Sequence, residues 1–157
     1  MHRPEAVRSL WGADFGMKPR DFFLSGAGID EKGELGRMTI ADFYPRKDMK
    51  DPYFPSYEAV LDPEEGLISL TGIRSTGKDG ELSARLFDEK LGITADEFGM
   101  PLIVKKRNPE RDSSVALWKA GDMTLMLTER TDRKGDNFLE LHMASCDFHE
   151  LWSRRNG

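Results

Sequence analysis

The sequence holds a single cysteine, Cys146, so no disulfide can form within the chain. It contains no apolar run of about 18 residues, the length that a membrane-spanning helix requires, and its start has no apolar segment of the kind found in export signals. These absences predict a protein without a membrane span that folds in a reducing compartment, and we expect a cytoplasmic location. An export signal removed before residue 1 is the alternative.

Basic charge is also in deficit. The chain has 23 Lys and Arg against 28 Asp and Glu, and the net charge of −5 comes from both signs interspersed along the sequence. A protein that holds the phosphate backbone of a nucleic acid needs clustered Lys and Arg on a basic domain. The balance therefore predicts no nucleic-acid partner. At 157 residues, the chain has the size of one domain, residues 1–157, which can bury a core without disulfides or metal.

Complete motifs of the common catalytic and cofactor-binding families are absent as well. We interpret no segment as resembling the phosphate-binding loop, the dinucleotide fingerprint, H-E-x-x-H or G-x-S-x-G. The letters D-F-G at 14–16 match a magnesium-binding motif of protein kinases, but no H-R-D segment accompanies them, and the chain is too short for two kinase lobes. We therefore predict no catalytic residue and no cofactor.

One group of residues near the end of the sequence has metal-binding or nucleophilic side chains. His142, Cys146 and His149 are spaced H-x3-C-x2-H, and positions 142 and 146 share a face if the chain there is extended. Zinc accepts these ligand types, but a structural zinc site usually has four ligands, and the sequence supplies no second cysteine. We predict no metal site and leave open whether the three residues meet in space.

Turn chemistry and hydrophobic periodicity predict an α+β fold. Residues 56–61 and 67–75 should form a hairpin around the turn D-P-E-E-G, and an apolar stripe predicts a helix over 81–91. Short connections between strands require antiparallel pairing. We predict a mainly antiparallel sheet of about five or six strands with one principal helix packed on one face. Besides the two hairpin strands, candidate strands are predicted at 38–44, 102–106, 115–119, 123–129 and 138–145, which makes seven candidate segments for a sheet expected to hold about five or six.

Glycines mark the predicted breaks in this pattern. The charged, glycine-rich span 26–36 is predicted to be a loop, and Gly92 is a candidate interruption of the helix. D-F-G-M-K-P at 14–19 and E-F-G-M-P at 97–101 nearly repeat each other. The first should start a short helix and the second should end the long one, with a backbone corner at each glycine. The side chains expected to anchor these corners to the core are Phe15, Met17, Phe98 and Met100.

Aromatic and basic residues are concentrated between positions 44 and 57, in the stretch Y-P-R-K-D-M-K-D-P-Y-F-P-S-Y. We predict a long irregular loop, a type of segment that is usually functional or disordered. Its rings either contact a protein partner or fold back over the sheet as a lid. Trp118, on a later predicted strand, either packs under the helix or contributes to an interface. The residues predicted to bind a protein are Tyr44, Arg46, Lys47, Tyr53, Phe54, Tyr57 and Trp118.

Three stretches together resemble a loose group of small bacterial α+β proteins with the build of immunity proteins. These stretches are F-G-M-K-P-R-D at 15–21, the helix running on to F-G-M-P at 98–101, and the hairpin Y-E-A-V-L-D-P-E-E-G-L-I-S-L at 57–70. Many members of such groups carry a tyrosine where Phe98 stands. The resemblance implies an antiparallel sheet with a helix and no catalytic residues. The glycine-and-methionine helix entry is also similar to that of small outer-membrane assembly lipoproteins, whose lipobox cysteine is absent here.

Three functions follow as hypotheses. The first is a non-enzymatic protein that binds another protein, with an immunity protein that blocks a toxin as the specific form. The second is an enzyme or small-ligand-binding protein with a pocket between helix 81–91 and the sheet. The third is an accessory protein of secretion or envelope assembly. The sequence does not specify the oligomeric state.

Overall fold

A computed structural model describes residues 9–25 and 28–145. A small hairpin and a short helix come first, followed by a run of strands that one long helix interrupts. In chain order the elements are β1 (Ser9–Leu10), β2 (Ala13–Asp14), α1 (Pro19–Leu24), β3 (Gly28–Leu35), β4 (Met38–Phe43), a 3₁₀ turn (Lys47–Met49), β5 (Ser56–Asp62), β6 (Gly66–Gly77), α2 (Gly80–Phe98), β7 (Ile103–Lys105), β8 (Ser113–Ala120), β9 (Met123–Thr131) and β10 (Asn137–Ser145).

Eight of the strands form one antiparallel sheet in the order β3-β4-β5-β6-β10-β9-β8-β7, and β1 pairs with β2 in a separate hairpin. The α+β class and the antiparallel pairing predicted from the sequence are confirmed. The predicted count of five or six strands is wrong, because the sheet has eight, and α1 accompanies the principal helix α2. The last strand in chain order, β10, lies in the middle of the sheet between β6 and β9.

The main error in the strand count concerns residues 28–35, where the sequence predicts a loop. They form β3 at one edge of the sheet, paired with β4, and the register shifts twice along the pair, around Glu31. Such irregularities are typical of edge strands. Glycine and charge disfavour a strand locally, but pairing with β4 overrides that preference.

The hairpin and the long helix are placed close to their predicted positions. β5 and β6 pair around the predicted turn, where Asp62 Oδ2 accepts hydrogen bonds from the backbone N–H groups of Glu64 and Glu65, both at 2.9 Å. Helix α2 begins after Asp79, whose side chain accepts from Leu82 N at 2.9 Å. It continues without a break from the predicted span 81–91 to Phe98, where E-F-G-M-P was expected to end it, so Gly92 does not interrupt it.

Both predicted glycine corners are present. Gly16 has φ 90° and precedes α1, and Gly99 has φ 89° directly after α2, a backbone region that favours glycine. Phe15, Met17 and Phe98 pack against the core as expected. The prediction for Met100 is wrong: its side chain is 83% exposed.

The main core lies between the sheet and α2. Side chains alternate along β9 and β10, so every second residue faces the helix, where Phe87 is fully buried. Each fully buried Leu or Phe contributes about 1.5–3 kcal/mol of transfer free energy. A cluster of rings continues the core beneath α1 and the segment that joins β4 to β5; its members are Trp11, Phe22, Phe43, Phe54 and Tyr57.

Within residues 9–25 and 28–145, neither helix is long and apolar enough to cross a lipid bilayer.

Candidate functional site

Residues 44–55, here called the 44–55 loop, connect β4 to β5 and contain most of the predicted protein-binding residues. The inner side of the loop is fixed by aromatic packing. Phe54 is 2% exposed, and its ring lies edge-on to Trp11 with 6.1 Å between the ring centroids. Tyr57, the second residue of β5, contacts the same indole at 4.9 Å. These rings therefore fold back over the sheet. This is the lid arrangement, one of the two alternatives that the sequence left open for them.

The aromatic packing depends on a glycine in the sheet. A Cβ atom added at Gly72 on β6 would lie 2.8 Å from Phe54 Cγ and 2.9 Å from Trp11 Cη2, closer than real Cβ contacts come. Trp11 itself has φ 54° in the turn between β1 and β2. That left-handed conformation costs about 1–2 kcal/mol for a residue with a Cβ atom, which the packing of its ring against Phe54 and Tyr57 offsets.

A buried ion pair joins the loop to helix α2. Lys90 Nζ lies 2.6 Å from Asp51 Oδ2, and the two side chains are 9% and 10% exposed. The ammonium also lies 5.4 Å from the centroid of the Tyr53 ring and 5.9 Å from that of Phe54. Aromatic faces attract a cation at this distance, more strongly where water is excluded. Three residues of the loop, Asp51, Tyr53 and Phe54, therefore interact with the Lys90 ammonium.

Two tyrosine hydroxyls complete the attachment of the loop. The Tyr57 hydroxyl accepts a hydrogen bond from Asp51 N at 2.9 Å and donates to Asp51 O at 3.1 Å, and burial raises the pKa of Tyr57. Tyr53 donates its hydroxyl proton to Glu89 Oε1 at 3.1 Å. Partial burial raises the pKa of Tyr53, and the hydrogen bond to Glu89 raises it further. Both hydroxyls thus act as neutral hydrogen-bonding groups near pH 7.

The outer side of the loop consists of exposed side chains. Tyr44 is 47% exposed and Met49 is 39% exposed. Arg46 and Lys47 are exposed as well, and Arg46 Nε lies 3.8 Å from Asp48 Oδ1 in a solvent-accessible pair. Such a pair contributes little to stability and leaves the guanidinium available to other partners. The 3₁₀ turn fixes the backbone here, since Met49 N donates to Arg46 O at 2.8 Å.

Clefts border the loop on its different sides. One of 290 Å³ separates Tyr44 and Arg46 from the β1–β2 hairpin, and one of 240 Å³ lies between Tyr44 and the start of β5. A third, of 370 Å³, lies between residues 48–53 and the last two turns of α2, and it reaches the sheet at Leu141. The sequence predicted a pocket between helix 81–91 and the sheet; this cleft includes Lys90 from that span, and its other helical residues, from Ile93 to Phe98, lie further along the helix.

The predicted binding residues therefore fall into two groups. Tyr44, Arg46 and Lys47 are on the exposed side of the loop, with Tyr53 half-buried at the 370 Å³ cleft. The other three are buried, and one of them lies elsewhere: Trp118 is 2% exposed on β8, and its Nε1 donates to Gly99 O at 2.8 Å at the end of α2. Trp118 therefore packs against the helix, which is one of the two alternatives predicted for it.

The His142, Cys146 and His149 group is described only in part. His142 lies half-buried on the sheet face opposite α2, with Nδ1 3.2 Å from Thr71 Oγ1 and Nε2 3.4 Å from Ser69 Oγ. Cys146 and His149 lie outside the described residues. Among the residues that are described, no group of three or more His, Cys, Asp or Glu side chains is arranged to hold a metal ion.

One segment does resemble the phosphate-binding loop, against the interpretation of the sequence above: G-I-R-S-T-G-K-D at 72–79 differs from that motif by an aspartate in place of Ser or Thr. The structure places residues 72–77 in β6, hydrogen-bonded to β10, so their N–H groups do not form an anion cradle. The Asp79 carboxylate occupies the N-terminus of α2 by capping Leu82 N. The backbone hydrogen bonding and the negative charge of this segment both disfavour the binding of a phosphate group.

Comparison with known protein families, curated proteins and solved structures finds no match. The resemblance to small bacterial α+β proteins stays an interpretation of the sequence, and no function is transferred from a relative.

Sequence reasoning missed the buried charges. Besides the Lys90–Asp51 pair, Glu129 on β9 is fully buried beneath α2, where it accepts from Arg107 Nε at 3.0 Å and from Ser83 Oγ at 3.1 Å. The bond to Glu129 raises the pKa of Arg107. The alternation of β9 contains the signal, since position 129 shares a face with Leu125 and Leu127. No comparable periodicity marks Asp51.

Proposed function

We propose that this chain is a non-enzymatic interaction protein that binds another protein through the outer side of the 44–55 loop. The observation that carries the proposal is the combination of an exposed Tyr44, Arg46, Lys47 and Met49 with a buried anchor in the same loop. Tyrosine, arginine and methionine are enriched in protein–protein interfaces. No catalytic role is proposed for these residues.

The anchor supports the proposal because it makes the loop rigid. A loop that must be ordered on binding loses affinity to conformational entropy, at about 0.5–1.5 kcal/mol for each immobilised side chain. Here Phe54, the Asp51–Lys90 pair and the Tyr57 hydroxyl hold the loop backbone in place before any partner arrives. The clefts on both sides of Tyr44 offer recesses for side chains of the partner.

A photo-crosslinking experiment tests the proposal even though the partner is unidentified. A benzoylphenylalanine residue replaces Tyr44 in the full chain at native expression level in its host, and Arg133, exposed in the β9–β10 turn, is the matched control position. We expect one discrete adduct from position 44 that Arg46→Glu abolishes. Equal labelling from both positions, or no adduct from position 44, would rule out this binding surface.

The identified partner then permits a quantitative test. Tyr44→Ala and Arg46→Ala should each weaken binding by about tenfold to a hundredfold, because truncated hot-spot residues cost about 2 kcal/mol or more. Lys134 is exposed in the β9–β10 turn, and Lys134→Ala should leave the dissociation constant unchanged. Isothermal titration calorimetry gives these values directly.

The partner class that we place first is a toxin. The chain would block it by covering the surface that the toxin needs for its activity. Size and build support this choice by analogy. If the crosslinked partner is a toxin, its expression should arrest growth and co-expression of the wild-type chain should relieve the arrest. The double variant Tyr44→Ala with Arg46→Ala should relieve it less. An adduct with a component of secretion or envelope assembly would favour the accessory role.

A small-ligand-binding function is the second candidate, and the 370 Å³ cleft favours it. Its walls combine apolar side chains such as Ile93 and Phe98 with the Lys90–Asp51 pair. This mixture suits a small molecule with an apolar body and a hydrogen-bonding group. A compound that binds there should raise the melting temperature of the wild type and not that of Ile93→Arg, which fills the cleft.

A further inference from the structure

The exposed charges of the 44–55 loop have the opposite sign to the chain as a whole. Its exposed bases are Arg46, Lys47 and Lys50. Asp48 is the exposed acid of the loop, whereas Asp51 is buried against Lys90, so that the charge of Asp51 is balanced within the protein. Three exposed bases and one exposed acid give the outer side of the loop a net charge of +2, on a chain whose net charge is −5.

These bases are available to a partner. Lys47 and Lys50 form no ion pair in the part of the chain that the structure describes. Arg46 Nε lies 3.8 Å from Asp48 Oδ1, which is longer than a hydrogen bond, and the two side chains are 72% and 73% exposed. The guanidinium of Arg46 can therefore form a two-pronged contact with another carboxylate.

Tyr44 separates two clefts that differ in charge. In the 290 Å³ cleft, between Tyr44 and the β1–β2 hairpin, Arg46 is the charged residue among the described residues of the wall. The larger apolar side chains of that wall are Trp11, Met17 and Phe43. The 240 Å³ cleft on the other side of Tyr44 contains both Lys50 and Asp42. The first cleft thus holds a cation that no acid in its own described wall balances.

We propose that the partner presents an acidic surface to this loop and inserts an aspartate or glutamate side chain into the 290 Å³ cleft, where Arg46 binds the carboxylate. This inference rests on the protein-binding function proposed above and names the chemistry of the partner. A guanidinium presents its donors in a planar fork that matches a carboxylate. Apolar walls strengthen the contact by excluding water, and Lys47 and Lys50 attract the surrounding acids over a longer range.

An acidic protein surface fits the loop better than a nucleic acid does. A phosphate backbone carries regularly repeated charges, which proteins match with clusters of Lys and Arg on a basic domain. Here Asp48 and Asp42 lie among three bases, and the chain as a whole is acidic. A protein partner can instead place its carboxylates locally, beside apolar groups that contact the exposed Tyr44 and Met49.

A graded charge series at position 46 tests the inference in the host. The full chain carries benzoylphenylalanine at position 44 together with Arg46→Lys, Arg46→Gln or Arg46→Glu. The first change keeps the charge without the fork, the second removes the charge and the third reverses it, so we expect the adduct yield to fall in that order. The matched controls are the same three substitutions at Arg133, exposed in the β9–β10 turn, which should leave the yield unchanged.

Charge exchange with the crosslinked partner then tests for direct pairing. Mass spectrometry of the adduct locates the contact, where we expect an aspartate or glutamate. Changing that residue to lysine should raise the dissociation constant for the wild-type chain at least about tenfold, and Arg46→Glu should restore binding to the changed partner. The association rate constant of the wild-type pair should fall at least about tenfold between about 50 and about 500 mM NaCl.

A partner contact without acidic residues overturns the inference, and so does an adduct yield that Arg46→Gln and Arg46→Glu leave unchanged. In both outcomes position 44 still crosslinks to a protein, so the proposed protein-binding function stands while the acidic partner fails. An adduct with RNA or DNA, or no adduct from position 44 beside the native Arg46, overturns both. Circular dichroism of each variant confirms that the fold is retained.

Discussion

Lys90 on α2 and Asp51 in the 44–55 loop form an ion pair 2.6 Å long in which both side chains are at most 10% exposed. Removing two charges from water costs several kcal/mol, and mutual attraction does not always repay it. The value of such a pair lies in geometry, because one arrangement satisfies both charges. In this chain that arrangement fixes the position of the loop on the helix.

Lys90→Met tests the cost of breaking this pair. The substitution keeps much of the apolar stem but leaves the buried Asp51 carboxylate without its counter-charge, so we expect a loss of about 3–5 kcal/mol in the free energy of unfolding. Urea denaturation measures the change. Arg85→Gln, which breaks the exposed Arg85–Glu89 pair, is the control and should cost less than about 1 kcal/mol. Equal losses in the two variants would contradict the buried role of Lys90.

Gly72→Ala tests the close approach of the aromatic anchor to the sheet. The added methyl group would overlap Phe54 and Trp11, and overpacking of this kind costs about 1–3 kcal/mol. The rings should also move, which a change in tryptophan fluorescence would report. Gly33→Ala on β3 is the matched control, because a Cβ atom there meets nothing within 4 Å. If both variants are equally stable, the packing against Gly72 is looser than described.

Arg107→Ala tests the second buried charge. Glu129 is fully buried, and without the guanidinium its carboxylate retains the Ser83 hydroxyl. We expect the free energy of unfolding to fall by about 3–5 kcal/mol. The double variant Arg107→Ala with Glu129→Met also removes the unpaired buried carboxylate, so it should recover part of that loss. Unfolding in guanidinium chloride measures both. A double variant that is less stable than Arg107→Ala would show that the carboxylate has another role.

The raised pKa of Tyr57 predicts a loss of stability in alkaline solution. In the unfolded chain, tyrosine ionises near pH 10, whereas burial keeps the folded hydroxyl protonated to higher pH. The folded state therefore binds more protons above pH 10, and stability falls as pH rises from there. The free energy of unfolding between about pH 8 and 11.5 should decline less steeply in Tyr57→Phe than in the wild type. Parallel curves would contradict this assignment.

The parts of the fold that were predicted correctly have local causes. The β5–β6 hairpin follows from the D-P-E-E-G turn, and α2 follows from its apolar stripe and Asp79 cap. The errors come from contacts distant in sequence. Gly92 costs about 1 kcal/mol in a helix, but the buried Lys90 and Thr94 on either side of it keep α2 intact.

The candidate site shows the same division. The sequence located the loop and its exposed Tyr44, Arg46 and Lys47, because prolines and charges mark an irregular surface segment. It did not separate these residues from Phe54 and Tyr57. Burial of those rings depends on contacts such as Trp11 and Gly72, which are brought together by the sheet and not by neighbouring residues.

The central position of β10 has a consequence for biosynthesis. Strands β3–β6 and β7–β9 are joined by backbone hydrogen bonds only through β10, among the residues that the structure describes. A nascent chain can therefore form the two half-sheets in turn, but it cannot unite them until Ser145 has left the ribosome. Until then each half exposes an unpaired strand, β6 in one and β9 in the other. The newly made chain should need protection from aggregation during that interval.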